Sequence, residues 1–293
     1  MKNRSCFRCL IVVFFITIVN VVKAQEVQPY QIFTKTGKKV SYKNMLAELE
    51  DTQVVLFGEL HNNSIAHYLQ LKLAKSLSKI QTKTLVIGAE MFERDQAEVL
   101  QLYTNGSIDE EQFKKNIRLW QNYSTDYKPL LDFAKSNNIK YVATNIPRRY
   151  ASLLYKKGIE ALDTLSVIEK SWLTPLPFPY DKNLPGYVKM MEMFKDTNHS
   201  NENFPKSQAI KDATMAHFIL ANLQEDAILL HLNGSYHSDF YEGIFWYLKV
   251  YNDKVRVKTL TVVEQSNVKS VEKQHLNKAD YIIVTDGDFP KSY

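Results

Sequence analysis

The run Val54-Val55-Leu56-Phe57-Gly58-Glu59-Leu60-His61 constrains this chain more than any other stretch. A short, unbroken apolar run reads as a buried strand, the kind found in a parallel sheet covered on both faces. In open α/β sheets, ligands and reacting groups gather outside the carboxyl ends of such strands. Glu59 and His61 stand where this strand gives way to a loop. The pattern returns at Ala227-Ile228-Leu229-Leu230-His231-Leu232, which leads into Asn233-Gly234-Ser235-Tyr236-His237. Both runs end in Gly-x-x-His, which implies two histidines brought to one rim of one sheet.

The intervening chain alternates in the manner of α/β proteins. Thr84 to Ala89 and Lys140 to Thr144 read as further strands. Helices are expected from Asn44 to Leu49, after an Asn62-Asn63-Ser64 cap, from Gln96 to Tyr103, from Asp109 to Leu119 and from Tyr127 to Lys135. Tyr30 to Phe33 and Lys39 to Tyr42, with Thr36-Gly37 between them, predict a β-hairpin. Between residues 163 and 205 the sheet pattern lapses. Pro-punctuated aromatic sequence (Thr174 to Tyr180) and a Met190, Met191, Met193 and Phe194 face predict a helical cap. Lys206 to Leu223 is a long helix carrying Gln208, Asp212, Met215 and His217, and Glu242 to Val250 is another. Lys254 to Leu260 alternates like an edge strand, and Tyr281 to Thr285 closes the sheet. The expected fold is therefore α/β: three layers, α/β/α, with a mainly parallel central sheet and a helical cap insertion.

The first residues precede this domain. Lys2, Arg4 and Arg8 make a basic region, Leu10 to Val19 an apolar one, and Val22-Lys23-Ala24 a small-residue cleavage site. The expectation is a signal peptide over residues 1–24, export after cleavage near Ala24, and one domain over residues 25–293. The apolar run is short for a membrane span of about 20 residues. Cys6 and Cys9, the two cysteines of the chain, lie before the apolar region, so the exported domain carries no disulfide, thiolate ligand or Cys nucleophile. A net charge of +5 with no dense basic block gives no support to nucleic-acid binding.

Polar groups follow three strand ends in turn: Glu59 and His61, Glu90 with Arg94, and Asn145 with Arg148. These residues carry a resemblance. Gly58-Glu59-Leu60-His61, Glu90-Met91-Phe92-Glu93-Arg94, Asn145-Ile146-Pro147-Arg148, the helix from Gln208 to Ala216 and Gly234-Ser235-Tyr236-His237 are similar, in that order, to the motifs of the ChaN-type haem-binding uptake proteins. Those proteins share an α/β/α superfamily with the Tiki proteases and the erythromycin esterases. The resemblance implies a site of two Gly-x-x-His motifs and a Glu, a helical cap, and an exported or outer-membrane-associated protein of haem or iron uptake. It also implies haem held in a homodimer through a Tyr with a His nearby.

Two chemistries fit these residues. In the first, haem is the ligand. Tyr150, Tyr180, Tyr187 and Tyr236 are all open as the axial ligand, and Arg148 or Arg149 would pair with a propionate. In the second, the chain is a hydrolase of peptide or ester bonds. His61, His237 and Glu90 or Glu59 would hold a divalent metal ion. Without a metal, His61 would act as general base oriented by Glu59 or Glu90, with Arg94 stabilising charge. His67 is expected behind His61. His199, His217, His231 and His275 have no partner motif and read as structural. Ser235 lacks a nucleophile-elbow frame.

Overall fold

The computed structural model describes residues 28–193 and 201–293. The basic and apolar leader with its cleavage point, and Phe194 and His199 of the cap region, lie outside the described residues. The chain begins with β1 (Tyr30–Thr34), α1 (Tyr42–Leu49), β2 (Val54–Glu59), α2 (Ser64–Leu77) and β3 (Thr84–Glu93). Helices α3 (Ala97–Thr104), α4 (Glu110–Asn116) and α5 (Lys128–Ser136) lead to β4 (Lys140–Asn145). Helices α6 (Arg148–Lys157), α7 (Val167–Lys170), α8 (Pro185–Met193) and α9 (Asn203–Asn222) separate it from β5 (Ala227–Gly234). Helix α10 (Ile244–Tyr251), β6 (Val257–Gln265) and β7 (Tyr281–Asp286) complete the fold.

The strands form one sheet in the order β1-β7-β6-β2-β5-β3-β4. Only β1 with β7 is antiparallel. Successive strand residues point to opposite faces, so each core strand feeds two cores. Val55 and Phe57 of β2 join α1 to α5 on one face, while Val54 and Leu56 join α6, α8, α9 and α10 on the other. That double burial explains why β2 and β5 read as continuous apolar runs. The α/β/α expectation therefore holds.

Topology creates the crevice. Strands β2 and β5 are parallel neighbours. The chain leaves β2 into α2 on the first face and leaves β5 into α10 on the second. Where neighbouring strands send their chains to opposite faces, a cleft opens beyond their carboxyl ends. Both Gly-x-x-His endings lie there.

Two local expectations are corrected. The hairpin shrinks to a single Phe33–Lys39 bridge, because Ser41 accepts from the Asn44 N–H at 3.1 Å and turns Tyr42 into α1. Strand β1 pairs with β7 instead. Strand β6 is interior, between β2 and β7, rather than an edge. Its polar signal is confined to its start, where Lys258 lies 3.3 Å from Asp280, and Thr259 to Val263 are buried. In the cap region Met190 is buried in the second core, while Met193 is exposed. Among the described residues no helix is long and apolar enough to cross a membrane.

Candidate functional site

Glu59, the last residue of β2, is 1% exposed. A buried carboxylate needs donors on both oxygens. It accepts from Tyr127 Oη at 2.7 Å, from His61 Nδ1 at 3.0 Å and from Gln70 Nε2. His61 is thereby fixed with Nδ1 protonated, and its ring packs edge-on against Trp120 with centroids 4.8 Å apart. The His61 carbonyl accepts from Asn122 Nδ2 at 2.8 Å and from His67 Nε2 at 3.0 Å, so the loop is held from behind. His67 in turn lies 3.4 Å from the buried Asp126 carboxylate.

From the β5 side, the His237 ring lies between two acids, with Nδ1 2.5 Å from Asp212 Oδ1 and Nε2 3.3 Å from Glu90 Oε1. The second Glu90 oxygen accepts the Gly234 N–H at 2.7 Å. Gly234 is required here by proximity: a Cβ at this position would stand 2.9 Å from His61 Cε1 and Nε2, and 3.6 Å from Glu90 Oε2. The two Gly-x-x-His endings thus converge over one glycine, with Glu90 between the histidines.

Burial disfavours a charged His237, but Glu90 and Asp212 outweigh it and push its pKa up to about 10. Glu90 is shifted well below the usual carboxylate range: burial opposes this, and the His237 charge and hydrogen bond overcome it. Asp212 is raised, because burial exceeds the help from His237. For His61, burial lowers the pKa, but the Glu59 hydrogen bond and the Glu90 charge leave it raised. The cluster holds a fixed positive charge at His237. At His61 Nε2 it presents a ring nitrogen that can take and return a proton.

Residues 45–248 match the family described as haem-binding uptake, Tiki superfamily, ChaN. The chain belongs to the ChaN family. Among solved structures, the ChaN protein of Campylobacter jejuni, described with cofacial haem binding, shares the fold. It is 17% identical, covers 88% of this chain and 97% of that one, and gives a TM-score of 0.67. A Bacillus cereus protein of 10% identity covers 88% and 94% with a TM-score of 0.48, too low to carry an argument. An erythromycin esterase variant of 12% identity covers 88% and 83% with a TM-score of 0.44, and it carries none either. A comparison with curated proteins found no match.

In this ChaN chain the structure gathers Glu59, His61, Glu90 and His237 of the residues expected from sequence. It places Arg94 elsewhere, along the outer edge of β4, donating to the Ala143 carbonyl at 2.9 Å. Among the described residues no group of three or more His, Cys, Asp or Glu is arranged to hold a metal ion. Both His237 nitrogens face carboxylates, and His61 Nδ1 is committed to Glu59.

The expected cofactor residues are dispersed. Tyr150 is buried in α6, with its hydroxyl donating to Glu169 at 2.9 Å and accepting from Arg149 at 2.9 Å. Arg149 is also paired with Asp95. Arg148 is exposed over a separate groove between α6 and α9. Tyr236 is 54% exposed and reaches the Gly186 carbonyl at 3.3 Å. Tyr187 is buried and lines a cavity of about 810 Å³ with Tyr180, Val188, Met191 and Pro205. The Tyr180 and Tyr187 rings stack there at 5.5 Å, and Lys182 and Lys206 belong to the same lining. Asp212, Tyr127 and Gln70 were not assigned to the site from sequence. Asp212 lies within the Gln208 to Ala216 motif, the one signal that could have flagged it.

Proposed function

We propose that this ChaN-family chain is exported, binds haem in the cavity walled by Tyr180 and Tyr187, and serves haem or iron uptake as a homodimer. The observation that carries the reading is that cavity in a chain of this family. Its volume of about 810 Å³ is in the range of small-molecule pockets. A stacked pair of tyrosines, with Val188 and Met191, suits a flat apolar ring, and Lys182 and Lys206 stand in the lining to meet propionates, alongside the acids Asp181, Glu192 and Glu202. Tyr180 Oη has no hydrogen-bond partner among the described residues, which leaves it free to be the phenolate donor. Tyr150, by contrast, would have to give up Glu169 and Arg149. When bound, haem supplies an iron that accepts a Tyr oxygen. Export rests on the basic and apolar leader ending near Ala24, and outer-membrane association and dimer formation rest on the family resemblance.

The test is a ferric haem titration of residues 25–293 followed in the visible spectrum. A saturable Soret shift with a tyrosinate charge-transfer band is expected. Tyr180→Phe should abolish the band and Tyr187→Phe should retain it. A band that survives Tyr180→Phe would move the ligand elsewhere, and the absence of any saturable shift in the parent chain would end the haem reading.

A further inference from the structure

Arg94 is absent from the histidine cluster, and its surroundings define a second place on the molecule. Strand β4 ends the sheet, so one row of its backbone groups has no strand beside it. A cavity of about 610 Å³ runs along that edge. Residues 138–143 line it without a break, with Gln101 of α3 and Asn222 of α9 on its two flanks. Both charged residues of this lining, Arg94 and Lys140, are basic. The Arg94 guanidinium lies 3.8 Å over the Phe218 ring and donates to the Ala143 carbonyl at 2.9 Å. Its Nε is buried without a partner, and no carboxylate pairs with it among the described residues. Burial accordingly lowers its pKa. A half-buried guanidinium with no counter-charge is costly unless an anion arrives to meet it.

We propose that the free edge of β4 accepts an extended peptide, added parallel to β4, whose C-terminal carboxylate pairs with Arg94. An edge strand flanked by helices takes peptides by main-chain hydrogen bonding, and a basic group at one end selects the terminus. The direction follows from placement. Lys140 opens β4 and Ala143, bonded to Arg94, lies near its end, so a parallel strand runs its own C-terminus toward the guanidinium. This inference is independent of the haem reading.

The probe is a fluorescein-labelled hexapeptide of alternating valine and threonine with a free C-terminal carboxylate, followed by fluorescence anisotropy. Saturable binding is expected, weaker by about tenfold for the C-terminal amide, since a charge-assisted pair is lost. Methylation of alternate peptide nitrogens should abolish binding. Arg94→Gln should erase the preference for carboxylate over amide. Ala97→Asp, in the first turn of α3 where an acid is tolerated, supplies Arg94 with an internal partner and should do the same. Absence of saturable binding by the parent chain overturns the proposal. So does a carboxylate preference that survives both substitutions, or equal binding of the N-methylated peptide.

Discussion

His237 is a buried base whose two ring nitrogens both face carboxylates, 2.5 Å from Asp212 and 3.3 Å from Glu90. Desolvation alone would neutralise it, but the paired acids win and its pKa stands at about 10. An unfolded histidine titrates near 6.5. Between roughly pH 6.5 and 10 the folded chain therefore binds more protons than the unfolded one. The stabilisation is complete below the unfolded value and is lost as pH rises through the folded value. Urea unfolding measured from pH 6 to 10.5 should show stability falling by on the order of 5 kcal/mol across that window. His237→Gln should flatten most of the slope. The raised His61 pKa acts in the same sense, so a remnant is expected to persist. An undiminished slope in His237→Gln would mean that His237 is neutral in the folded protein.

Helix α2 shows how one element fixes the loop that carries His61. Asn63 caps it by accepting the Ala66 N–H at 2.8 Å, and its amide donates to Glu264 at 2.6 Å and to Thr285 at 3.0 Å. One side chain thus ties the turn after His61 to β6 and β7. Asn63→Ala should cost about 1 kcal/mol for the cap and about 1–2 kcal/mol more for the lost hydrogen bonds to Glu264 and Thr285, which keep Lys291 and the Val263 carbonyl as partners. Asn63→Asp, which keeps the cap acceptor but sets a buried carboxylate against Glu264, should cost more than Asn63→Ala, with urea denaturation as the measure. The cap was legible in sequence as Asn62-Asn63-Ser64 before an apolar periodicity, and β2, β3, β4 and β5 were legible as apolar runs. Strand β6 was legible as a strand but read as an edge, because its exposed start alternates before its buried stretch begins. The hairpin misled for a related reason: the turn at Gly37, with φ +83°, is real, but Ser41 capping withdraws the second arm. Asp212 escaped because nothing in a helical pattern distinguishes an acid buried against a histidine from one facing water.

At the scale of the molecule, parallel order and the split of α2 and α10 to opposite faces put both histidine loops at one crevice. That much follows from two Gly-x-x-His endings after two buried strands. The cavity of Tyr180 and Tyr187 does not follow from local pattern, since it is walled by the cap, whose path over the sheet no periodicity encodes. The two places are joined through Gly186 at the start of α8. Its N–H donates to Glu242 at 2.7 Å and its carbonyl accepts from Tyr236 at 3.3 Å, both from the segment carrying His237. A ligand in the cavity therefore bears on α8, and through it on the fold that positions the site. Ligand bound only by the folded state stabilises that state by mass action, about 2.7 kcal/mol at a hundredfold excess over Kd. On the haem reading, thermal unfolding of residues 25–293 should shift upward with haem concentration, and Tyr180→Phe should reduce the shift. If the Soret change saturates while the melting temperature stays fixed, haem is meeting folded and unfolded chain alike. The cavity under α8 would then not be where it binds.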